Sequence, residues 1–237
     1  ARQMSDLPDK ENHRSHIRSI QDVYRSRDTS ELGNIYNPLR AENVRIVAER
    51  QRVLTDLLRG WLGQNRLADK DILEIGCGTG GNLLNFIALG ADPARLTGND
   101  LMATRINEAH SRLPSSVRLY CGDAADLDIP PLSFDVVLQS VCFKCDWSSD
   151  VCSSDLLRPG GIFLSYDFTI DNPRNKSVRG ISINHVRRLF PEGIVTARSV
   201  TLAPPIARRV WSGLYPLMSA LPFLRTHAWC LVSKPDK

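Results

Sequence analysis

The feature that most constrains this chain is the stretch Asp71-Ile-Leu-Glu-Ile-Gly-Cys-Gly-Thr-Gly-Gly81. A short apolar strand runs directly into alternating glycines, Gly76, Gly78 and Gly80, and then into a helix that begins near Asn82. Glycines at this spacing let the backbone turn sharply and come close to a ligand where a Cβ would intrude. The helix behind the turn offers free N–H groups at its first turn. A nucleotide-type site at the end of a first β-strand follows from these residues.

Two kinds of ligand compete for that turn. Gly76, Gly78 and Gly81 satisfy the dinucleotide fingerprint G-x-G-x-x-G, and an acidic residue, Asp100, follows about 20 residues later as the fingerprint asks. Against a dinucleotide stands Glu74, inside the strand two residues before the first glycine. A carboxylate there repels a pyrophosphate and suits a cationic ligand. The pattern Glu74-x-Gly76-x-Gly78-x-Gly80 resembles the first motif of class I S-adenosylmethionine (SAM)-dependent methyltransferases. The ligand of that family carries a sulfonium and an ammonium and no phosphate.

The resemblance continues in order along the chain, from about Asp71 to Phe168. Leu96-Thr-Gly-Asn-Asp100 is similar to the family's second strand, which implies that Asp100 accepts from both ribose hydroxyls. Leu101 and Met102 would then pack on the adenine, with Cys77 beside them in the turn. Val117 to Ala124 resembles the third strand and its turn, implying that Asp123, next to Ala124, reads the adenine edge. Ser133 to Ser140 resembles the fourth strand, whose end, at Gln139, would lie beside the methionine part of the cofactor. Leu157-Arg-Pro-Gly-Gly161 resembles the turn into the fifth strand.

The expected fold is α/β: a Rossmann-like, seven-stranded, mostly parallel sheet with helices on both faces and a helical N-terminal cap. Strands are expected at 71–75, 95–99, 117–121, 134–139, 161–168, 194–201 and 227–233, with helices at 82–89 and 103–112. Helical periodicity over Ser15–Arg27 and Pro38–Leu62 places a cap at 1–66 and the SAM-binding domain at 67–237. Tyr24, Tyr36 and Asn37 are candidate lid residues.

One stretch breaks the pattern. Asp146-Trp-Ser-Ser-Asp-Val-Cys-Ser-Ser-Asp-Leu156 contains Ser-Ser-Asp twice and no apolar stripe. It stands where a crossover of a dozen or more residues should join the fourth strand to the fifth. It resembles the translation of a sequencing-library adapter, so residues 146–156 are read as an artefactual insert replacing a native helix. Sheet residues such as Val136 and Leu138 would then lose apolar cover.

Beyond the fifth strand, Tyr166, Asp167, Asp171, Asn172 and Arg174 follow the end of the sheet where ligands bind in such folds. Tyr166, Asp167 and His185 are the candidate catalytic groups if the acceptor atom is an oxygen that must lose a proton. Residues 204–224 are rich in leucine and aromatics, with Arg208, Arg209 and Arg225 flanking them. They suit a lid over the acceptor pocket, or a peripheral contact with a membrane or a lipid-linked substrate.

Composition closes off other classes. With 237 residues, 42% hydrophobic and 24% charged, the chain has material for one substantial core. A net charge of +4 with scattered arginines gives no expectation of a nucleic-acid partner. No apolar run approaches the roughly 18–20 residues of a membrane span. Six cysteines without a regular framework point to a reducing cytoplasm, and Cys142-x-x-Cys145 lacks further ligands, so no metal is expected.

These features together imply methyl transfer from SAM to a small-molecule acceptor, most readily at oxygen. A nicotinamide (NAD)-dependent oxidoreductase and a non-catalytic SAM-binding module that recruits partners are the alternatives.

Overall fold

The computed structural model describes residues 18, 21–22, 37–140, 153–170, 180, 183–210 and 213–236. Tyr24, Tyr36, Asp171, Asn172, Arg174 and the Cys142–Cys145 pair lie outside them.

The first long element is α1, Ala41–Leu62, whose buried stripe is Val53, Leu54, Leu57 and Leu58. Asn37 sets its start: Leu39 N donates to Asn37 Oδ1 at 2.9 Å, and Asn43 Nδ2 donates to the Asn37 carbonyl at 2.8 Å. Strand β1, Ile72–Ile75, leads into α2, Gly81–Ala88; β2, Leu96–Asp100, leads into α3, Ala103–Arg112. Then come β3, Arg118–Cys121, and β4, Phe134–Ser140. The four-residue helix α4, Ser153–Leu156, precedes β5, Leu157–Phe168. Helix α5, Ile183–Leu189, leads to β6, Ile194–Leu202, and two short helices, α6, Pro204–Ala207, and α7, Tyr215–Ser219, connect it to β7, Arg225–Ser233.

All seven strands join one sheet in the order β3-β2-β1-β4-β5-β7-β6. The first five are parallel, and β7 is inserted antiparallel between β5 and β6. A dinucleotide-binding sheet continues 3-2-1-4-5-6 without such an inserted strand. Strand order therefore separates the two ligand classes that the glycine turn alone leaves open.

Strand periodicity divides the core between two faces. One face carries Ile72, Val136, Leu138, Ile162, Leu164, Trp229 and Leu231, packed against α1, α2 and α3. The other carries Leu73, Val137, Phe163, Cys230 and Val232, packed with Val186 of α5. Val136 and Leu138 thus lie under α1, α2 and α3. Leu156, at the described end of the β4–β5 connection, packs on the opposite face with the cluster of Val137 and Phe163.

The fifth strand also differs from expectation. Leu157-Arg-Pro-Gly belongs to β5: Leu157 pairs with Phe134, and the register then jumps to Ile162 opposite Val136. Pro159 has no N–H to give to a ladder, so a bulge is the place in a strand that accepts it. This bulge holds Arg158, whose Nη1 lies 2.8 Å from both Asp71 Oδ2 and Asp135 Oδ2. Asp71 N also donates to Asp135 Oδ2 at 2.8 Å, and Arg95 reaches Asp71 at 3.2 Å. The N-terminal edge of the sheet is closed by mutually paired charges.

Candidate functional site

The opposite edge, where the parallel strands end, is built differently. Leaving β1, the chain turns through Gly76 (φ 72°), Gly78 (φ 54°) and Gly80 (φ 80°), all in the left-handed region that side chains with a Cβ adopt at a cost. The glycines have separate duties. A Cβ on Gly80 would come within 2.6 Å of Leu113, so Gly80 lets α2 and α3 pack together. Among the described residues, a Cβ on Gly78 would meet protein only at 4.0 Å, at Arg105, which leaves room there for a ligand. Cys77 is buried in the same turn, with its N–H on the Asn99 carbonyl at 2.8 Å. Burial, followed by the charges of Glu74 and Asp100, drives its thiol well above the usual range.

Asp100 ends β2 facing this turn. Its Oδ2 accepts from Gly78 N at 2.9 Å and its Oδ1 from Met102 N at 2.9 Å. The carboxylate is thus oriented by backbone, with lone pairs left over for a ligand's hydroxyls. Leu101 is half-buried, Met102 is buried, and Gln21 Nε2 lies 3.5 Å from the Leu101 carbonyl. Asn99 Nδ2 donates to the Gly122 carbonyl at 3.0 Å, holding the turn that carries Asp123 and Ala124 beside β2. Gln139 is buried near the end of β4, in register with Ile75 and Ser165.

Glu74 is buried to 1% exposure on the face under α1. Its Oε1 accepts from Asn82 Nδ2 at 2.6 Å, while its Oε2 is buried without a partner among the described residues. Burial pushes its pKa up to about 8, against the opposing pull of the Asn82 hydrogen bond and the Arg50 charge. A buried, half-satisfied carboxyl is costly, and its persistence beside a glycine turn marks a place where a cationic group fits.

Arg50 of α1, absent from the sequence expectations, joins this site. Its Nη2 donates to Asn82 Oδ1 at 3.0 Å, completing a chain from Arg50 through Asn82 to Glu74. Its guanidinium stands 5.2 Å from the centroid of the Tyr166 ring, and its carbonyl accepts from Trp229 Nε1 at 3.1 Å. In sequence, Arg50 is one arginine among several on an amphipathic helix, and nothing local distinguishes it.

The three candidate catalytic residues do not converge. Tyr166 and Asp167 are neighbours on β5, so their side chains leave opposite faces of the sheet. The Tyr166 hydroxyl is buried and shares a 2.8 Å hydrogen bond with Thr201, which itself sits at φ 65°. That is a strained conformation for a β-branched residue, held by the packing around it. The Tyr166 ring also stacks on His227 at 5.2 Å. Burial, and then the Arg50 charge, lowers the His227 pKa to about 4. Asp167 is nearly buried on the other face, takes a 2.7 Å hydrogen bond from Phe168 N, and is raised to about 7 by burial. His185 is half-buried on α5. Among the described residues no group of His, Cys, Asp and Glu could hold a metal ion.

Residues 72–161 match the family model of the methyltransferase domain. No curated protein matches the sequence. Among solved structures, the chain is similar to 1,6-didemethyltoxoflavin-N1-methyltransferase of Burkholderia thailandensis, solved with 1,6-didemethyltoxoflavin and S-adenosylhomocysteine. The identity is 18% and the TM-score 0.62, over 98% of this chain and 93% of that one. A SAM-dependent methyltransferase from Mesorhizobium loti is 16% identical with a TM-score of 0.54, over 76% of this chain and 96% of the other. The cyclase SpnF is 17% identical with a TM-score of 0.56, over 79% and 82%.

Domain match, strand order and glycine turn together define a class I methyltransferase fold. Residues 72–161 match a methyltransferase domain, and the chain has the fold of SAM-dependent methyltransferases. The donor set fits SAM: an oriented carboxylate for hydroxyls, an open glycine face, and an orphaned carboxyl oxygen for positive charge.

Proposed function

We propose that the protein transfers the methyl group of SAM to a small-molecule acceptor at oxygen. Glu74, Gly76, Cys77, Gly78, Gly80, Asp100, Leu101, Met102, Asp123, Ala124 and Gln139 hold the cofactor. Residues 1–66 act as a helical cap on the 67–237 domain, and the contact of Arg50 with Asn82 supports this role. A cytoplasmic location accords with the free thiols of Cys77, Cys121 and Cys230, and no described helix is long and apolar enough to cross a membrane.

When bound, the cofactor supplies an electrophilic methyl on a sulfonium, so the protein's tasks are positioning and, for a hydroxyl acceptor, removal of one proton. Asp167 carries this second task best. Burial raises it to about 7, which lets it take a proton near neutral pH and release it again. Tyr166 is engaged with Thr201 and packed on His227, which suits it to shaping the pocket wall. Related folds include an N1-methyltransferase and a cyclase, so the fold leaves the acceptor atom open.

The observation that carries the SAM site is the pairing of Asp100 with the Gly78 N–H beside a buried, half-satisfied Glu74. Calorimetric titration should show binding of SAM and none of NAD. In a methyl-transfer assay over hydroxyl and amine acceptors, Asp167→Asn should lower transfer to hydroxyls by about 100-fold or more and flatten the acid limb of the pH profile. An unchanged rate would remove Asp167 as the base and favour a nitrogen acceptor, whose neutral lone pair attacks unaided.

A further inference from the structure

We propose that the β6–β7 connection is a docking surface for an anionic lipid bilayer, and, resting on the methyl-transfer reading, that the acceptor is an amphiphile presented from that bilayer. Because β7 runs antiparallel to both β5 and β6, β6 ends at the same edge of the sheet as β1, β2, β4 and β5. The connection therefore emerges at the same edge as the glycine turn and Asp100, four strands along the sheet from β1.

This connection is apolar on both sides. Its inner side is accounted for: Tyr215 and Met218 pack with Leu202, Ala207, Ile206 and Leu224. Its outer side holds Leu214 at 47%, Leu217 at 67%, Leu221 at 38% and Phe223 at 79% exposure. Leu214 and Leu221 flank the short helix α7, which carries Leu217, and Phe223 follows in the turn before β7. A surface segment apolar all round has an inner contact and an unmet outer one.

Charge says what meets it. No Asp or Glu occurs from 193 to 235, and Arg208 and Arg209 are exposed beside the apolar residues. Arg225 is committed to Glu49 at 3.4 Å and is not counted. Exposed leucines and a phenylalanine with Arg208, whose charge also reaches Glu42, and Arg209 on the same connection complement an anionic headgroup layer over acyl chains. A second copy of this chain suits the patch less well, because a two-fold contact sets a surface against itself and would bring Arg208 and Arg209 against their own equivalents. Pro216 and Pro222 break the segment, in keeping with lying on a bilayer and not crossing it.

The test is co-sedimentation of the full chain with phosphatidylcholine vesicles, with and without phosphatidylglycerol. Sedimentation should require phosphatidylglycerol and weaken with salt. Arg208→Glu with Arg209→Glu, and separately Leu217→Ser with Phe223→Ser, should each lower partitioning by about tenfold or more. Both double variants should keep the wild-type circular dichroism and melting temperature. Absence of sedimentation, sedimentation indifferent to phosphatidylglycerol, or variants that partition like wild type would overturn the docking surface. So would a dimer, seen by analytical ultracentrifugation without vesicles, that Leu217→Ser with Phe223→Ser dissociates. The vesicle readout needs no SAM, so a chain that sediments as expected yet fails to bind SAM keeps the surface and loses only the acceptor assignment.

Discussion

The two edges of the sheet are made from the same strands and use their charges in opposite ways. At the N-terminal edge Asp71, Asp135, Arg95 and Arg158 satisfy one another within 2.8–3.2 Å. At the C-terminal edge Glu74 keeps an unpaired oxygen, Asp167 is raised to about 7, and Thr201 is held at a positive φ. One edge spends its hydrogen-bonding capacity on itself. The other leaves part of it unspent, as the proposed SAM site requires. The contrast teaches where to look for function in such a sheet: at the edge whose polar groups are oriented and incompletely satisfied.

The largest effect should come from the segment that links the two edges. The β4–β5 crossover leaves the functional edge after Ser140 and returns to the paired edge at Leu157, and its described residues, Ser153–Leu156, form a short helix. If 146–156 is foreign sequence, replacing it with an amphipathic helix should stabilise the chain by about 1.5–3 kcal/mol for each leucine-sized side chain it buries over Val137 and Phe163. Urea unfolding of both chains measures this, and equal midpoints would identify the segment as a genuine loop.

Next comes Glu74. Its carboxyl ionises near 4.5 when exposed and near 8 when folded, so the folded state holds an extra proton between those values. Stability contributed by Glu74 is therefore present at low pH and lost as pH rises through about 8. Relative to wild type, Glu74→Gln should gain stability across this window, on the order of a few kcal/mol at pH 8, while SAM binding weakens. Denaturation at pH 5 and pH 8 checks the sign, and a gain confined to pH 5 would contradict it.

A smaller loss is expected at the oriented carboxylate. Asp100→Ala should weaken SAM binding by about 1.5–3 kcal/mol, the usual worth of hydrogen bonds to a charged group, with little change in melting temperature. Unaltered calorimetric affinity would place Asp100 outside the site. The smallest change belongs to the paired edge. Arg158→Met should cost about 1 kcal/mol of stability or less, since the arginine is partly exposed, and leave SAM affinity untouched. A loss of SAM affinity in that variant would mean that the edges are coupled and the contrast between them is false.

The cofactor edge was far more legible in the sequence than the rest. Gly76, Gly78, Gly80 and Asp100 act through backbone conformation and strand position, which are local properties, so their spacing carries the message. Helix α3 likewise occupies the expected 103–112, because apolar period and loop punctuation are local too. The bulge at Leu157–Gly161 was not legible, because it answers to Phe134 and Val136 on another strand. Nor was the burial of Val136 and Leu138 under α1 and α2, since alternation gives two faces but not which helices cover them.

The sequence by itself determined the α/β alternation, the glycine turn and the acidic residue that faces it, because each is written in residues close along the chain. Only the tertiary structure decided what surrounds them. Arg50 reaches Asn82 across 32 positions, Trp229 reaches the Arg50 carbonyl across 179, and Tyr166 finds Thr201 across 35. The tertiary structure also left Glu74 with one oxygen unpaired among the described residues. Contacts of that range depend on how sheet and helices pack, and burial, which sets the charge of Glu74 and Asp167, exists only once they have packed.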